Sequence, residues 1–94
     1  MAEVSPREGR GGVGVSGAQL MGDLARGGAR WEVYLELAPD AALAAVRGRV
    51  HFLQEDRRRA SGWIFLEPTE REVRERFLDF SSLELWSLLE SLAP

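Results

Sequence analysis

The chain has 94 residues, a hydrophobic fraction of 45% and a formal net charge of −3, which is typical of one small globular domain. Its 12 basic residues are all arginines, and it has no cysteine. These absences exclude disulfides, thiolate metal sites, cysteine nucleophiles and lysine-based catalysis. No stretch has the roughly 18 consecutive apolar residues of a membrane helix, and the N-terminus has no secretory signal. We therefore expect a cytoplasmic protein.

The N-terminal segment, residues 1–17, is rich in glycine and has few large apolar side chains. This composition predicts a flexible arm that precedes a single small domain at 18–94. Two overlapping matches to G-x-G-x-x-G lie within 9–17, but that motif binds dinucleotides only between a strand and a helix. Because no strand is predicted before the motif, and the sequence after it predicts a meander rather than a βαβ unit, we reject dinucleotide binding. Alternating valines leave open a further strand from residues 10–17.

Residues 18–67 are predicted to form a short helix followed by three strands of a sheet. Residues 18–26 place leucine and methionine at helical spacing before a pair of glycines, which predicts a short helix. Residues 30–37 and 46–54 alternate between apolar and polar side chains, as half-buried strands do. A third strand is predicted at 61–67, where the continuous apolar run favours a strand covered on both faces, or a central one.

The apolar period then changes from 2 to 3.6, which predicts two helices. Thr69 and Glu72 have the spacing of a capping box at the start of the first, and Ser81 and Glu84 have it at the start of the second. The sequence thus predicts an α+β fold, a three-stranded antiparallel meander followed by two C-terminal helices, behind a flexible arm. The predicted buried stripes are Val73, Phe77 and Phe80 in the first helix and Leu85, Leu88, Leu89 and Leu92 in the second.

Three apolar residues of these helices lie off the buried stripes: Leu78, Leu83 and Trp86. A helix that is apolar beyond one stripe needs a second cover, from its own fold or from another chain. The two helices could cover each other, so both interpretations stay open at this point. Because a domain of this size has little sheet to cover its tryptophans, we favour self-association, as a homo-oligomer, or binding of a protein partner through these side chains.

The second hypothesis is nucleic-acid or phosphoanion binding by the predicted hairpin 46–59. This segment has five arginines against two acidic residues, a local net charge of +3: Arg47, Arg49, Arg57, Arg58 and Arg59. Guanidinium groups suit phosphate. However, residues 61–94 have three arginines against seven acidic residues, and an acidic chain is unusual for a dedicated nucleic-acid binder. The competing interpretation is that the arginines pair with Glu32 and Glu36 on the neighbouring strand.

The sequence contains little that points to catalysis. His51 is the only histidine, so with no cysteine the chain predicts no metal site, and no motif predicts a cofactor. Carboxylate pairs occur only at helix-surface positions such as Glu70 and Glu72, where solubility and i,i+4 pairing explain them. We therefore predict that the protein is not an enzyme.

Overall fold

The structure, a computed structural model, describes the backbone of residues 3–5 and both backbone and side chains of residues 17–92. The described residues form six strands, a 3-10 turn at Ala41–Leu43 and two α-helices. The strands are β1 (Glu3–Ser5), β2 (Ala18–Arg26), β3 (Ala29–Asp40), β4 (Ala45–Gln54), β5 (Arg57–Ala60) and β6 (Phe65–Glu67). The helices are α1 (Glu70–Leu78) and α2 (Ser82–Ser91).

All strand pairs of the sheet are antiparallel, in the spatial order β1-β2-β3-β4-β5. The remaining strand, β6, pairs with the same edge of β4 as β5 does. Residues 51–54 of β4 pair with β5, and residues 46–48 pair with β6. The predicted α+β class, with an antiparallel sheet followed by two C-terminal helices, is confirmed.

The sheet is larger than the predicted meander because residues 18–26 are strand β2 rather than a helix. The register of β2 against β3 shifts at Met21, and a bulge of this kind interrupts the two-residue alternation of a strand. Met21 and Leu24 both pack on the core as a result, which gives the apolar residues the spacing of a helix. Gly27 and Gly28, at φ 57° and 88°, form the tight turn into β3.

The predicted arm contributes strand β1, which pairs with residues 23–25 of β2. Gly17 lies in the turn just before β2. The rest of the arm, with the glycine motif and the strand considered at 10–17, lies outside the described residues.

The predicted third strand at 61–67 is shorter in the structure, because Ser61 ends the pairing of β5 with β4. The backbone N–H of Ser61 donates to the carbonyl of Val50 at 2.9 Å, and the N–H of Val50 donates to the Ser61 hydroxyl at 2.9 Å. One residue thus satisfies both backbone groups of Val50, as a buried strand requires. The chain can then leave the sheet edge without an unpaired group on β4.

Residues 62–64 are outside the sheet before β6 pairs with β4 again. Trp63 and Ile64 are exposed on this excursion, and Leu66 is exposed on β6. The expectation that this apolar run is covered on both faces is therefore wrong. Sequence alone could not separate a buried strand from an apolar segment that the chain turns outwards.

Both helices begin at the predicted caps and pack on one face of the sheet. The N–H of Glu72 donates to the Thr69 hydroxyl, and Ser81 and Glu84 form both bonds of a capping box. Helix α1 lies against β3, β4 and β6, whereas α2 lies against β1 and β2. Of the predicted stripes, Val73, Phe77, Leu85 and Leu89 lie in the core, which also contains Leu24, Trp31, Val33, Leu35, Val50, Phe52 and Phe65. Phe80, Leu88 and Leu92 are partly buried and pack against this core, and Phe80 follows the end of α1 instead of lying in the helix.

The packing of α1 and β6 on β4 predicts a strong effect of substituting Gly48. A Cβ added to Gly48 would lie 2.6 Å from Cγ1 of Val73 and 3.3 Å from Cβ of Phe65. Because a buried, β-branched valine has little freedom to move, we expect Gly48→Ala to lower the free energy of unfolding by about 1–3 kcal/mol. Denaturant unfolding measures this difference.

Gly62→Ala is the matched control, because a Cβ on Gly62 would have nothing within 4 Å. We expect this variant to unfold within about 0.5 kcal/mol of the wild-type protein. Equal stability of the two variants would contradict the close approach of α1 to β4.

Candidate partner-binding surface

Two of the three predicted anchor residues lie on the open surface. Leu78 at the end of α1 is 69% exposed, and Leu83 in the first turn of α2 is 63% exposed. Trp86 instead packs against the core, its indole N–H donates to Glu90 at 3.1 Å, and Arg26 lies 5.8 Å from its ring centre. The competing interpretation was that the two helices cover each other's apolar side chains. In the structure, neither helix covers the exposed leucine of the other.

Two adjoining depressions lie between β6 and the corner where α1 ends and α2 begins. Their shared lining contains Glu67, Arg76 and Asp79. We call the two depressions together the acid-rimmed groove. Its apolar lining residues are Ile64, Phe65, Leu78 and Phe80. Its acidic lining residues are Glu67, Glu72, Glu75, Asp79 and Glu84.

The acid-rimmed groove carries negative charge, since the described residues that line it include five carboxylates and one guanidinium. Arg76 donates to Glu67 at 3.2 Å, and Arg71 donates to Glu75 at 3.2 Å from outside the groove. Asp79 is exposed at the C-terminal end of α1, where the helix dipole adds negative potential. A lining that combines apolar side chains with a net negative charge suits a partner that is both apolar and basic.

Sequence reasoning missed the contribution of Ile64 to this surface. Ile64 is 46% exposed because the chain leaves the sheet after Ser61. The signal that could have indicated this was the pair Ser61 and Gly62 directly before the apolar run, since such a pair is typical of a bulge or turn.

The Arg-rich tract of the second hypothesis is divided between the two faces of the sheet. Arg57 and Arg59 lie on the helix side, where each guanidinium is 5.3 Å from the ring centre of Trp31. Arg59 also donates to the carbonyl of Leu89 at 3.4 Å, near the end of α2. Arg58, between them on β5, alternates to the opposite face. Two of these three guanidiniums therefore help to cover the core.

The other two arginines of the hypothesis are held by carboxylates of the neighbouring strand. Arg47 donates to Asp40 at 2.7 Å, and Arg49 donates to Glu36 at 2.7 Å. The guanidinium of Arg49 also lies 4.4 Å from the ring centre of Trp63. The predicted pairing of an arginine with Glu36 is thus confirmed, and both positive charges have a close negative partner.

His51 lies on the same face as Arg49 and is only 1% exposed. Its Nε2 is 2.7 Å from the same oxygen of Glu36 that Arg49 contacts. Because an ionised carboxylate only accepts hydrogen bonds, Nε2 carries the proton of this contact. Nδ1 is buried and has no hydrogen-bond partner among the described residues. The imidazole is therefore a buried partner of Glu36, and its burial keeps it out of contact with molecules in solution.

Within residues 17–92, whose side chains the structure describes, no group of three or more histidine or acidic side chains is arranged to hold a metal ion. In the same described part of the chain, no helix is long and apolar enough to cross a membrane. Comparisons with known proteins give no match: no family model fits the sequence, and no curated protein or solved structure matches it. Function is therefore interpreted from the surface itself.

The contacts of Glu36 predict a pH dependence of stability. The hydrogen bond from His51, and after it the contact with Arg49, hold the pKa of Glu36 below its ordinary value of 4.5 although partial burial opposes this. A carboxyl group with a depressed pKa in the folded state stabilises the fold above its unfolded-state pKa. That contribution is lost as the pH falls through the folded-state pKa.

We therefore expect Glu36→Gln to be most destabilising, relative to wild type, near neutral pH. The difference should shrink as the pH falls below about 4.5, and denaturant unfolding across this range measures it. Glu70→Gln is the control, because its carboxylate is exposed on α1 and its ion pair with Arg74 is long at 3.5 Å. If the difference in the free energy of unfolding between Glu36→Gln and wild type stayed constant with pH, it would contradict the stabilising role assigned to the ionised Glu36.

Proposed function

We propose that the protein is a small, non-enzymatic protein-interaction module that self-associates through the acid-rimmed groove, which Leu78 lines, and through Leu83 beside it. The observation that carries this proposal is the exposure of Leu78 and Ile64, which line the groove, and of Leu83 next to it. Leu83 directly precedes Glu84, which lines the groove. The expected cytoplasmic location belongs to the same proposal.

The energetic argument for a contact at this surface is the cost of exposed apolar area. Full burial of a leucine or isoleucine side chain stabilises a protein by about 1.5–3 kcal/mol. Much of this stabilisation is not realised within one copy, because three such side chains are exposed: Leu78, Leu83 and Ile64. Contiguous apolar surface with a polar rim is typical of protein-binding sites. The carboxylates around the groove supply such a rim and would limit which partners bind.

The arginine tract supports the second hypothesis, nucleic-acid or phosphoanion binding, less well. Arg47 and Arg49 each have a carboxylate at 2.7 Å, so an incoming phosphate would have to displace a neighbour. Arg57 and Arg59 lie against Trp31 on the other side of the sheet. The guanidiniums therefore do not converge on one anion, and self-association is the function that the geometry favours.

The decisive variant for the apolar contact is Leu78→Ser combined with Leu83→Ser. We expect the dissociation constant of the assembly to rise at least about tenfold, which corresponds to about 1.4 kcal/mol of lost apolar burial. Both side chains are exposed, so the free energy of unfolding should stay within about 0.5 kcal/mol per site. Sedimentation velocity and thermal unfolding measure the two quantities.

Leu43→Ser is the matched control, because Leu43 is 56% exposed on the 3-10 turn and lines neither depression. This variant should associate like the wild-type protein. The proposal fails if the double variant associates as strongly as wild type, or if the wild-type protein is monomeric at every concentration.

A further inference from the structure

We infer that two copies of this chain associate by pairing their β6 strands edge to edge, so that their two sheets become one continuous sheet. On one side, β6 pairs with β4. Among the strands that the structure describes, none pairs with the other side of β6, which we call the β6 edge. The inference rests on the proposed self-association and specifies its contact, because Phe65 and Glu67 of β6 also line the acid-rimmed groove.

The backbone chemistry of the β6 edge suits another extended strand. Successive residues of an antiparallel strand direct their N–H and C=O groups to alternate sides, so the pairing with β4 satisfies only part of the backbone of residues 65–67. Within the described part of the chain, these residues make no backbone–backbone hydrogen bond outside that pairing. An unpaired edge of this kind is a template for a strand of another chain.

Of the two short strands on this side of the sheet, β6 is the one suited to self-association. Strand β5 carries three arginines in succession, residues 57–59, and like charges that face each other across paired strands are destabilising. Strand β6 instead has Leu66 at its centre, which is 50% exposed, and directly follows the exposed Ile64. An unpaired strand edge with exposed apolar side chains is typical of an association site.

The sequence of β6 also determines the register of the pairing. A two-fold axis perpendicular to the sheet keeps each side chain on its own face, so one residue must lie opposite its own copy. All three residues of β6 pair only when that residue is Leu66. An axis at Glu67 would place two carboxylates together and Leu66 opposite Pro68, which has no N–H. An axis at Phe65 would pair Leu66 with Ile64, which lies outside the sheet.

The side chains at this axis form an apolar contact on the face of the sheet away from the helices. Phe65 lies in the core, and its neighbour Leu66 therefore points to the opposite face. The two Leu66 side chains would meet there, with Cα atoms about 4.5–5.5 Å apart. Each gains burial that a single copy does not provide.

The charge beside β6 is partly neutralised within each copy. Glu67 accepts from Arg76 and Glu75 accepts from Arg71, each at 3.2 Å. The other carboxylates of two neighbouring grooves repel each other weakly, because exposed charges are screened beyond about 8 Å at physiological ionic strength. Since backbone groups and leucine side chains make the contact, the association should not weaken when salt is added.

Single introduced cysteines test this register, because the chain has no cysteine of its own. Residues that face each other across antiparallel strands have Cα atoms within the range of a disulfide. At a concentration at which wild type associates, we expect Leu66→Cys to form a covalent dimer under mild oxidation at least about tenfold faster than Leu43→Cys, since pairing holds the two thiols together. Leu43 is the matched control because it is similarly exposed, on the 3-10 turn. Non-reducing electrophoresis of timed samples measures both rates.

Charge at the same position gives a second, reversible test. Leu66→Lys and Leu66→Glu each place two like charges opposite each other, so each variant alone should associate at least about tenfold more weakly than wild type in sedimentation velocity. An equimolar mixture of the two variants should recover a 1:1 complex, because a lysine and a glutamate then face each other across the strands. Misfolding of either variant could not produce this recovery. Leu43→Lys should associate like wild type.

The inference is overturned if wild type associates but Leu66→Cys cross-links no faster than Leu43→Cys, or if wild type associates but the mixture stays monomeric. In either case the proposed self-association would stand on Leu78 and Leu83, and only the pairing of β6 would be wrong. If the wild-type protein is itself monomeric at every concentration, the proposed function and this inference both fail.

Discussion

Strand β4 pairs with β3 along one edge and has to share its other edge between two short strands, β5 and β6. The two hydrogen bonds between Ser61 and Val50 make this sharing possible, because they satisfy the backbone of β4 where the chain departs. From that point the chain turns Trp63 and Ile64 outwards and returns with Phe65 in the core. The position of the acid-rimmed groove beside β6 follows from this excursion, and so does its separation from the β4–β5 turn.

The sheet uses arginine in two distinct ways. On the helix face, Arg57 and Arg59 lie against Trp31 and close the edge of the core, a role in which the methylene stem matters as much as the charge. On the opposite face, Arg49 joins Glu36, His51 and Trp63 in one connected cluster. A local excess of arginine in the sequence therefore corresponds to two structural roles.

Much of the fold could be predicted because its signals are local. The caps at Thr69 and Ser81, and the apolar stripes after them, depend on residues within one or two turns of each other. The helix expected at 18–26 was wrong because a bulge at Met21 changed the spacing of the apolar residues on a strand. The exposure of part of 61–67 was missed because the chain leaves the sheet where the Ser61 hydroxyl accepts a hydrogen bond from the N–H of Val50. The two residues are 11 positions apart in the sequence.

The candidate surface was predictable in part for the same reason. Leu78 and Leu83 could be assigned from helical periodicity, since each lies off the buried stripe of its own helix. The groove, which Leu78 lines and Leu83 adjoins, combines residues of β6 with the α1–α2 corner, and no periodic pattern relates these segments. Trp86 lies off its stripe as well, but the sequence does not show that the chain brings it against the core and under Arg26.

The measurement that tests the central claim most directly is the molar mass of the unmodified protein in solution, by light scattering over a series of concentrations at low and high salt. Our account predicts a mass above the 10.5 kDa of one chain that rises with concentration and persists at high salt, because the proposed contact buries apolar side chains. A constant mass of one chain at every concentration and at both salt levels would contradict it.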